Sequence, residues 1–127
     1  MSGGLIPLTA REAERLRARS PEAALARRLL AAQRERDAAL GTALFRDIAW
    51  EIVLSLFAAQ EEGRHVSPVS LFDGAGAPAA TVRRWIKALE KQGLVVRIGD
   101  AGDDGRAHLY LTGETARRTR ELLRSWL

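Results

Sequence analysis

The 127-residue sequence carries 20 lysines and arginines against 16 aspartates and glutamates, giving a net charge of +4, with no cysteine and two histidines. This length suits one ordinary domain with a core that needs no covalent staples. The missing cysteines exclude disulfides, thiolate catalysis and cysteine-based zinc sites, and fit a reducing cytoplasm, where the protein is expected to reside. His65 and His108 are far apart in sequence, so neither a metal centre nor a cofactor is expected. Met1 to Pro7 lacks the basic start and long apolar run of a secretory signal. Ala43 to Ala59 is the most apolar helical stretch, but it carries Arg46, Asp47 and Glu51 and is too short to span a bilayer, so no membrane partner is expected.

Leu5, Ile6 and Leu8 form a small apolar cluster before Thr9. Thr9 and Glu12 have capping-box spacing, which starts a helix there. Ser20-Pro21 interrupts it and reads as an N-cap followed by proline in the first turn of a second helix, which runs to about Leu40 and stops at Gly41. Leu25, Leu29 and Ala32 mark a narrow seam on this helix, which must pack either on its own domain or across a dimer. From Ala43 to Gln60, Phe45, Ile48, Ala49, Ile52 and Leu56 share one face, widened by Trp50, Val53 and Phe57, as in a helix buried on most sides. Glu61 to Arg64 is a polar turn. Ser67-Pro68 repeats the cap signal and opens a short helix to about Asp73, broken by the Gly74 to Ala77 stretch. A helix from Pro78 to Gln92 ends at Gly93. Leu94 to Ile98 is a strand that Arg97 interrupts, Gly99 to Gly105 a loop, and Ala107 to Leu111 a second strand. Thr112 caps a last helix, Gly113 to Leu127.

Helix, short helix, turn, helix, strand, loop and strand, in that order, predict a mainly α fold with a small β-hairpin wing: a winged helix-turn-helix. Charge is placed unevenly along it. Ala43 to Glu62 holds one basic and four acidic residues, whereas Pro78 to Gln92 holds four basic and one acidic. On that basic helix Val82, Trp85, Ile86 and Leu89 cluster on one side and should be buried. Ala80, Arg84, Lys87 and Lys91 lie opposite, flanked by Arg83. Small residues at a helix start allow close approach to a groove, and arginine can donate twice to guanine. Ala79, Ala80, Thr81, Arg83, Arg84 and Lys87 therefore form the groove-reading group, with Thr81 and Arg84 as base readers and Arg83, Lys87 and Lys91 touching phosphate. Ser67 is an N-cap that can also set a helix N-terminus near a phosphate. In the acidic loop a calcium site is excluded by the missing ligand pattern. Asp104 or another loop aspartate is instead expected to orient Arg106 towards the DNA backbone or minor groove.

The stretches VSPVSLFDGAGAPAATVRRWIKALEKQGLVVR and DAGDDGRAHLYLT resemble the winged-helix domain of the MarR family of bacterial regulators, over Ile52 to Thr112. The resemblance implies that the helix matching Pro78–Gln92 enters the major groove, that Arg83 and Arg84 occupy positions that commonly contact DNA, and that Asp104-Gly105-Arg106 is the Asp-x-Arg wing motif. It implies a homodimer on a pseudo-palindrome of double-stranded DNA, and a possible small-molecule effector that releases it. Three features depart from the family: one helix rather than two follows the wing, Phe72-Asp73-Gly74 interrupts the short helix, and the first forty residues match no pattern. The chain divides into an N-terminal helical extension (1–41) available for dimerisation, a DNA-binding domain (42–112) and a C-terminal helix (113–127). Leu122, Leu123, Trp126 and Leu127 crowd that last helix, and a two-fold interface with the N-terminal helices would cover them. The alternative is that those helices complete a monomer core. No enzyme is expected, since neither histidine has a carboxylate at catalytic spacing. The competing function is a winged helix that binds protein without contacting DNA.

Overall fold

A computed structural model of the chain describes residues 9–12, 15, 20–41, 46–75, 77–99 and 102–127. Leu5, Ile6, Leu8 and Phe45 lie outside the described residues. The Thr9 capping box is formed: the Thr9 N–H donates to Glu12 Oε2 and the Glu12 N–H to Thr9 Oγ1, both at 3.1 Å. Helix α1 (Pro21–Leu40) begins where the Ser20 hydroxyl accepts the Ala23 N–H, with proline in the first turn, and ends at Gly41, whose φ of 68° is left-handed. Helix α2 (Ile48–Glu61) starts later than the hydrophobic pattern suggests, because Asp47 takes a non-helical conformation and its carboxylate accepts the Trp50 N–H at 3.1 Å. Helices α3 (Pro68–Ala75) and α4 (Ala79–Lys91) form the helix-turn-helix, and α3 continues through Gly74 rather than stopping at Asp73.

Strands β1 (Val95–Ile98) and β2 (His108–Leu111) pair antiparallel, with Val95 opposite Leu111 and Ile98 opposite His108. A single bridge between Val66 and Leu109 adds a third rung beside β2. The last helix, α5 (Gly113–Ser125), starts at Thr112, but the Thr112 hydroxyl does not cap it. That hydroxyl donates to the Gly93 carbonyl at 3.0 Å, tying the end of the hairpin to its beginning.

The apolar helix α2 is the centre of the molecule. Ile52, Val53, Leu54 and Leu56 to Ala59 are all buried, as its sequence predicts. Leu71 of α3, Val82, Ile86 and Leu89 of α4, Val95, Leu109 and Leu111 of the hairpin and Leu123 of α5 join the same cluster. Helix α1 lies across α2 and α5 of its own chain. Its contact face differs from the expected seam: Ala23 and Ala26 are fully buried, Leu25, Leu29 and Leu30 pack against the core, and Ala32 is exposed. Two alanines let α1 approach α2 closely, and ion pairs at its flanks add to the thin apolar contact. Among the described residues no helix is long and apolar enough to cross a membrane.

Trp85 corrects the expected burial pattern. Val82, Ile86 and Leu89 are buried, but Trp85 is 44% exposed. At about 100° per residue Trp85 sits roughly 60° from Val82, on the side away from Ile86, and so falls at the rim of the apolar sector. Ile86→Ala should therefore lower stability by roughly 2–5 kcal/mol through a core cavity, and Trp85→Ala by no more than about 0.5 kcal/mol. Urea midpoints check both; equal losses would place the indole in the core.

Candidate nucleic-acid interface

The surface formed by α3, α4 and the wing is built on local signals. Ser67 caps α3: its Oγ accepts the Ser70 N–H at 3.2 Å, and the Ser70 hydroxyl donates to the Ser67 carbonyl at 2.8 Å. Pro78 stands at the α4 N-cap and no side chain caps the first turn, so the start of this helix presents backbone N–H groups beside exposed Ala79 and Ala80. Thr81 is half-buried; Arg83, Arg84, Lys87 and Lys91 are exposed. Among the described residues, no carboxylate pairs with Arg84, Lys87 or Lys91.

Arg83 has different surroundings. Its guanidinium lies 4.8 Å from the centre of the Phe72 ring, a cation–π distance, and its Nη2 is 3.0 Å from Asp104 Oδ2. The other Asp104 oxygen accepts from Arg97 Nη1 at 3.1 Å, and Arg97 Nη2 reaches Glu90 Oε1 at the same distance. One chain of charges therefore runs from Phe72 on α3 through Arg83 on α4 to Asp104 in the wing, then through Arg97 on β1 back to Glu90 on α4. Partial burial pushes the Asp104 carboxyl up, but the hydrogen bonds and charges of Arg83 and Arg97 outweigh it and hold the group below its ordinary value of 3.8. The Arg97 guanidinium is held above its ordinary value by its hydrogen bond to Glu90, against burial, with help from the charges of Glu90 and Asp104.

Of the two expected partners for Arg106, Asp104 or another loop aspartate, the wing contains the second. Arg106 Nε lies 3.4 Å from Asp103 Oδ2, with an 81% exposed side chain, and Asp104 turns inward to the two other arginines. Local geometry explains the exchange. Asp103 accepts the Gly105 N–H at 2.9 Å in a tight turn, which puts its carboxylate beside Arg106. Gly99 closes the wing with φ 110°, and a Cβ there would meet the Arg106 carbonyl oxygen at 3.1 Å. Thus Arg84, Lys87 and Lys91 share the outward face of α4, Arg106 stands on the wing, and Arg83 is a strut between them. Arg97 was legible only as an interruption of a strand. The signal it carries is parity, since it alternates with Val95 on the side of β1 that faces the molecule.

The two histidines are brought together away from this surface. Their ring centres are 5.1 Å apart, and His65 Nδ1 hydrogen-bonds the Tyr110 hydroxyl. Burial, and then the charge of His108, push the His65 imidazole below its ordinary 6.5. Among the described residues, no group of three or more histidines or carboxylates is placed to hold a metal ion.

No protein-family model matches the sequence, and no curated protein does. Solved structures match the fold. A point mutant of MepR from S. aureus superposes with a TM-score of 0.51 at 20% identity, over 78% of this chain and 72% of that one. A cysteine-to-serine mutant of MarR from E. coli superposes with a TM-score of 0.50 at 18% identity, over 94% of this chain and 76% of that one. MepR bound to ethidium bromide gives 0.50 at 17% identity, over 78% and 72%. The fold is a winged helix-turn-helix. The winged helix shared with MarR and MepR accounts for the element order, the hairpin after α4 and the buried helix α2 beneath them.

The Asp104 network makes a testable prediction. Asp104→Asn should cost about 1 kcal/mol and speed amide exchange over residues 102–106 while leaving α2 protected. A carboxylate held below its unfolded value contributes stability above about 3.8 and loses it as pH falls through its folded value. Urea midpoints of the wild type and the variant should therefore differ at neutral pH and converge in acid. A difference independent of pH would show that the carboxylate's charge is irrelevant.

Proposed function

We propose that the protein is a sequence-specific, double-stranded-DNA-binding transcriptional regulator of the MarR family, acting as a homodimer in the cytoplasm. The observation that carries this reading is the outward face of α4, where Arg84, Lys87 and Lys91 are exposed with no carboxylate partner among the described residues. On α5, by contrast, the exposed Arg117 and Arg118 both meet Glu114. In this reading α4 enters the major groove. Ala79 and Ala80 allow close approach, and the uncapped helix start offers N–H groups to a phosphate. Thr81 and Arg84 read base edges, Lys87 and Lys91 contact phosphates, Ser67 fixes the α3 terminus near the backbone, and Arg106 takes the wing, residues 99–106, to the backbone or minor groove. Arg83 and Asp104 set the distance between helix and wing.

The dimer would form through α1 and α5. Leu40, Leu122, Trp126 and Leu127 are exposed, and Trp126 meets Trp50 edge to face at 6.3 Å. A two-fold interface there would cover this apolar surface and set two α4 helices about 34–36 Å apart, one turn of DNA. A cavity of about 210 Å³ between α1, α2 and α3 is the proposed effector site, lined by Leu30, Ile48, Ile52 and Leu71 with Arg34 at its rim. Arg27 and Arg64 also line it, but both guanidiniums are held by Glu62, which leaves Arg34 as the cation for a small anionic ligand. The similar MepR structure with ethidium bromide supports a small-molecule site in this fold.

Selection of bound genomic fragments by the purified protein should return a two-fold motif. On that motif Arg84→Ala should lose roughly 1–3 kcal/mol, with little loss on scrambled duplex. Lys91→Ala should weaken both duplexes evenly and reduce the salt slope by about 1. Equal losses for Arg84→Ala on both duplexes would demote it to a backbone contact, and no salt-dependent binding at all would favour the protein-interaction alternative. Sedimentation at micromolar concentration should give a dimer that Trp126→Ala weakens. A dimer indifferent to that change would place the interface elsewhere.

A further inference from the structure

The chain has two imidazoles and no thiol, so these two side chains are its whole supply of imidazole and thiolate ligands for a borderline metal ion. The fold places both on one patch. The Leu109 N–H donates to the Val66 carbonyl at 2.8 Å, and this bridge sets the segment before α3 beside β2. Val66 and Leu109 lie towards the core. The alternation of an extended chain therefore turns His65, His108 and Tyr110 to the opposite face. There the imidazole centres are 5.1 Å apart with planes tilted by 35°. Two imidazoles bound through nitrogen to one tetrahedral ion, at bond lengths of about 2.0–2.1 Å, have ring centres roughly 5 Å apart. The patch is open, with His65 exposed, His108 and Tyr110 half-buried, and no lysine or arginine cross-strand to it: Val96 and Ile98 pair with Tyr110 and His108.

We propose that His65 and His108 chelate one divalent transition-metal ion of the zinc, nickel and copper class, with Tyr110 as the positioning residue. Tyr110 meets His65 at Nδ1. In the tautomer whose Nδ1–H donates to the phenol oxygen, Nε2 keeps its lone pair for the metal, the way an outer partner orients a metal-bound histidine. Because no third histidine or carboxylate joins them among the described residues, water completes the coordination. The bound ion would cross-link the segment entering α3 to strand β2, and so brace the wing against the helix-turn-helix. This inference is independent of DNA binding and is tested without DNA.

The experiment is titration of the full chain with ZnCl₂ or NiCl₂ at neutral pH, read by calorimetry and by the imidazole C–H resonances. One ion per chain should bind, and both histidines should shift together at the same equivalence point. His65→Ala and His108→Ala should each lower affinity at least tenfold, and the double variant little further, because either loss destroys the chelate. Tyr110→Phe should lower affinity several-fold and keep the stoichiometry. Saturating metal should raise the melting temperature of the wild type but not of the double variant. Two independent weak sites, one histidine shifting alone, or binding retained in the double variant would each overturn the chelate. Undiminished affinity in Tyr110→Phe would remove the tyrosine from the site.

Discussion

Three consecutive residues at the end of α2 hold the surrounding elements in place. The Gln60 amide oxygen accepts the Leu111 N–H of β2 at 2.7 Å. Glu61 accepts from the Ser20 hydroxyl at the start of α1, at 3.3 Å, and from Arg120 of α5, at 3.1 Å. Glu62 is fully buried and accepts from Arg27 of α1 at 2.7 Å and from Arg64 at 2.6 Å. Carboxylates at a helix C-terminus oppose the helix dipole, and burying one costs several kcal/mol more. The arrangement stands because guanidiniums from separate parts of the chain neutralise it. An apolar helix would otherwise be free to rotate or slide within its coat of leucines and valines. These directional bonds fix which element lies on each side. Arg64 carries the same constraint forward, through His65 and the Val66 bridge, to the cap of α3 and hence to the turn that aims α4.

The same chemistry separates two kinds of arginine. Arg27, Arg83, Arg97 and Arg120 each hold a carboxylate from another element or turn of the chain, and the planar, forked guanidinium suits such multi-point contacts. Arg84 holds none among the described residues, and neither do the two lysines on its helix. The acidic wing, an unfavourable neighbour for a basic helix on total charge alone, becomes intelligible on this division. Asp104 takes its place between two arginines and positions the hairpin, while the cations that point outward are left uncompensated. Counting charge over the whole basic helix would overstate what is available to a polyanion, because Arg83 is already committed.

Much of this architecture was legible in local sequence. Ser20-Pro21, Ser67-Pro68, Gly41 and Gly93 punctuate the chain where caps and left-handed turns stand, and the alternation around Leu109 marks β2. The buried and outward faces of α4 followed from helical period, except at Trp85, where a large apolar residue at the sector's edge defeats a binary reading. The failures share a cause: they concern partners distant in sequence. Glu61 to Arg64 reads locally as a solvated polar turn, yet contains the fully buried carboxylate of Glu62. Asp104 turns away from Arg106 to Arg83, 21 residues distant on α4, and leaves Arg106 to Asp103. Two histidines distant in sequence meet only because a single backbone bridge forms, and no periodicity announces it.

The bonds that seat α1 span long stretches of chain. Arg124 and Glu22 meet at 3.0 Å across a separation of 102 residues, and Ser20 reaches Glu61 across 41. Closing loops of that size must wait until α2 and α5 are already placed, since the entropy of closure is spent before the contacts repay it. The contact of α1 with α2 is of another kind: Ala23 and Ala26 are fully buried, Leu25, Leu29 and Leu30 pack against the core, and the two helices are neighbours in sequence. The α1–α5 contact should therefore form after the α1–α2 contact and open before it. In a molecule built this way, α1 can part from α5 while it still walls the 210 Å³ cavity with α2 and α3.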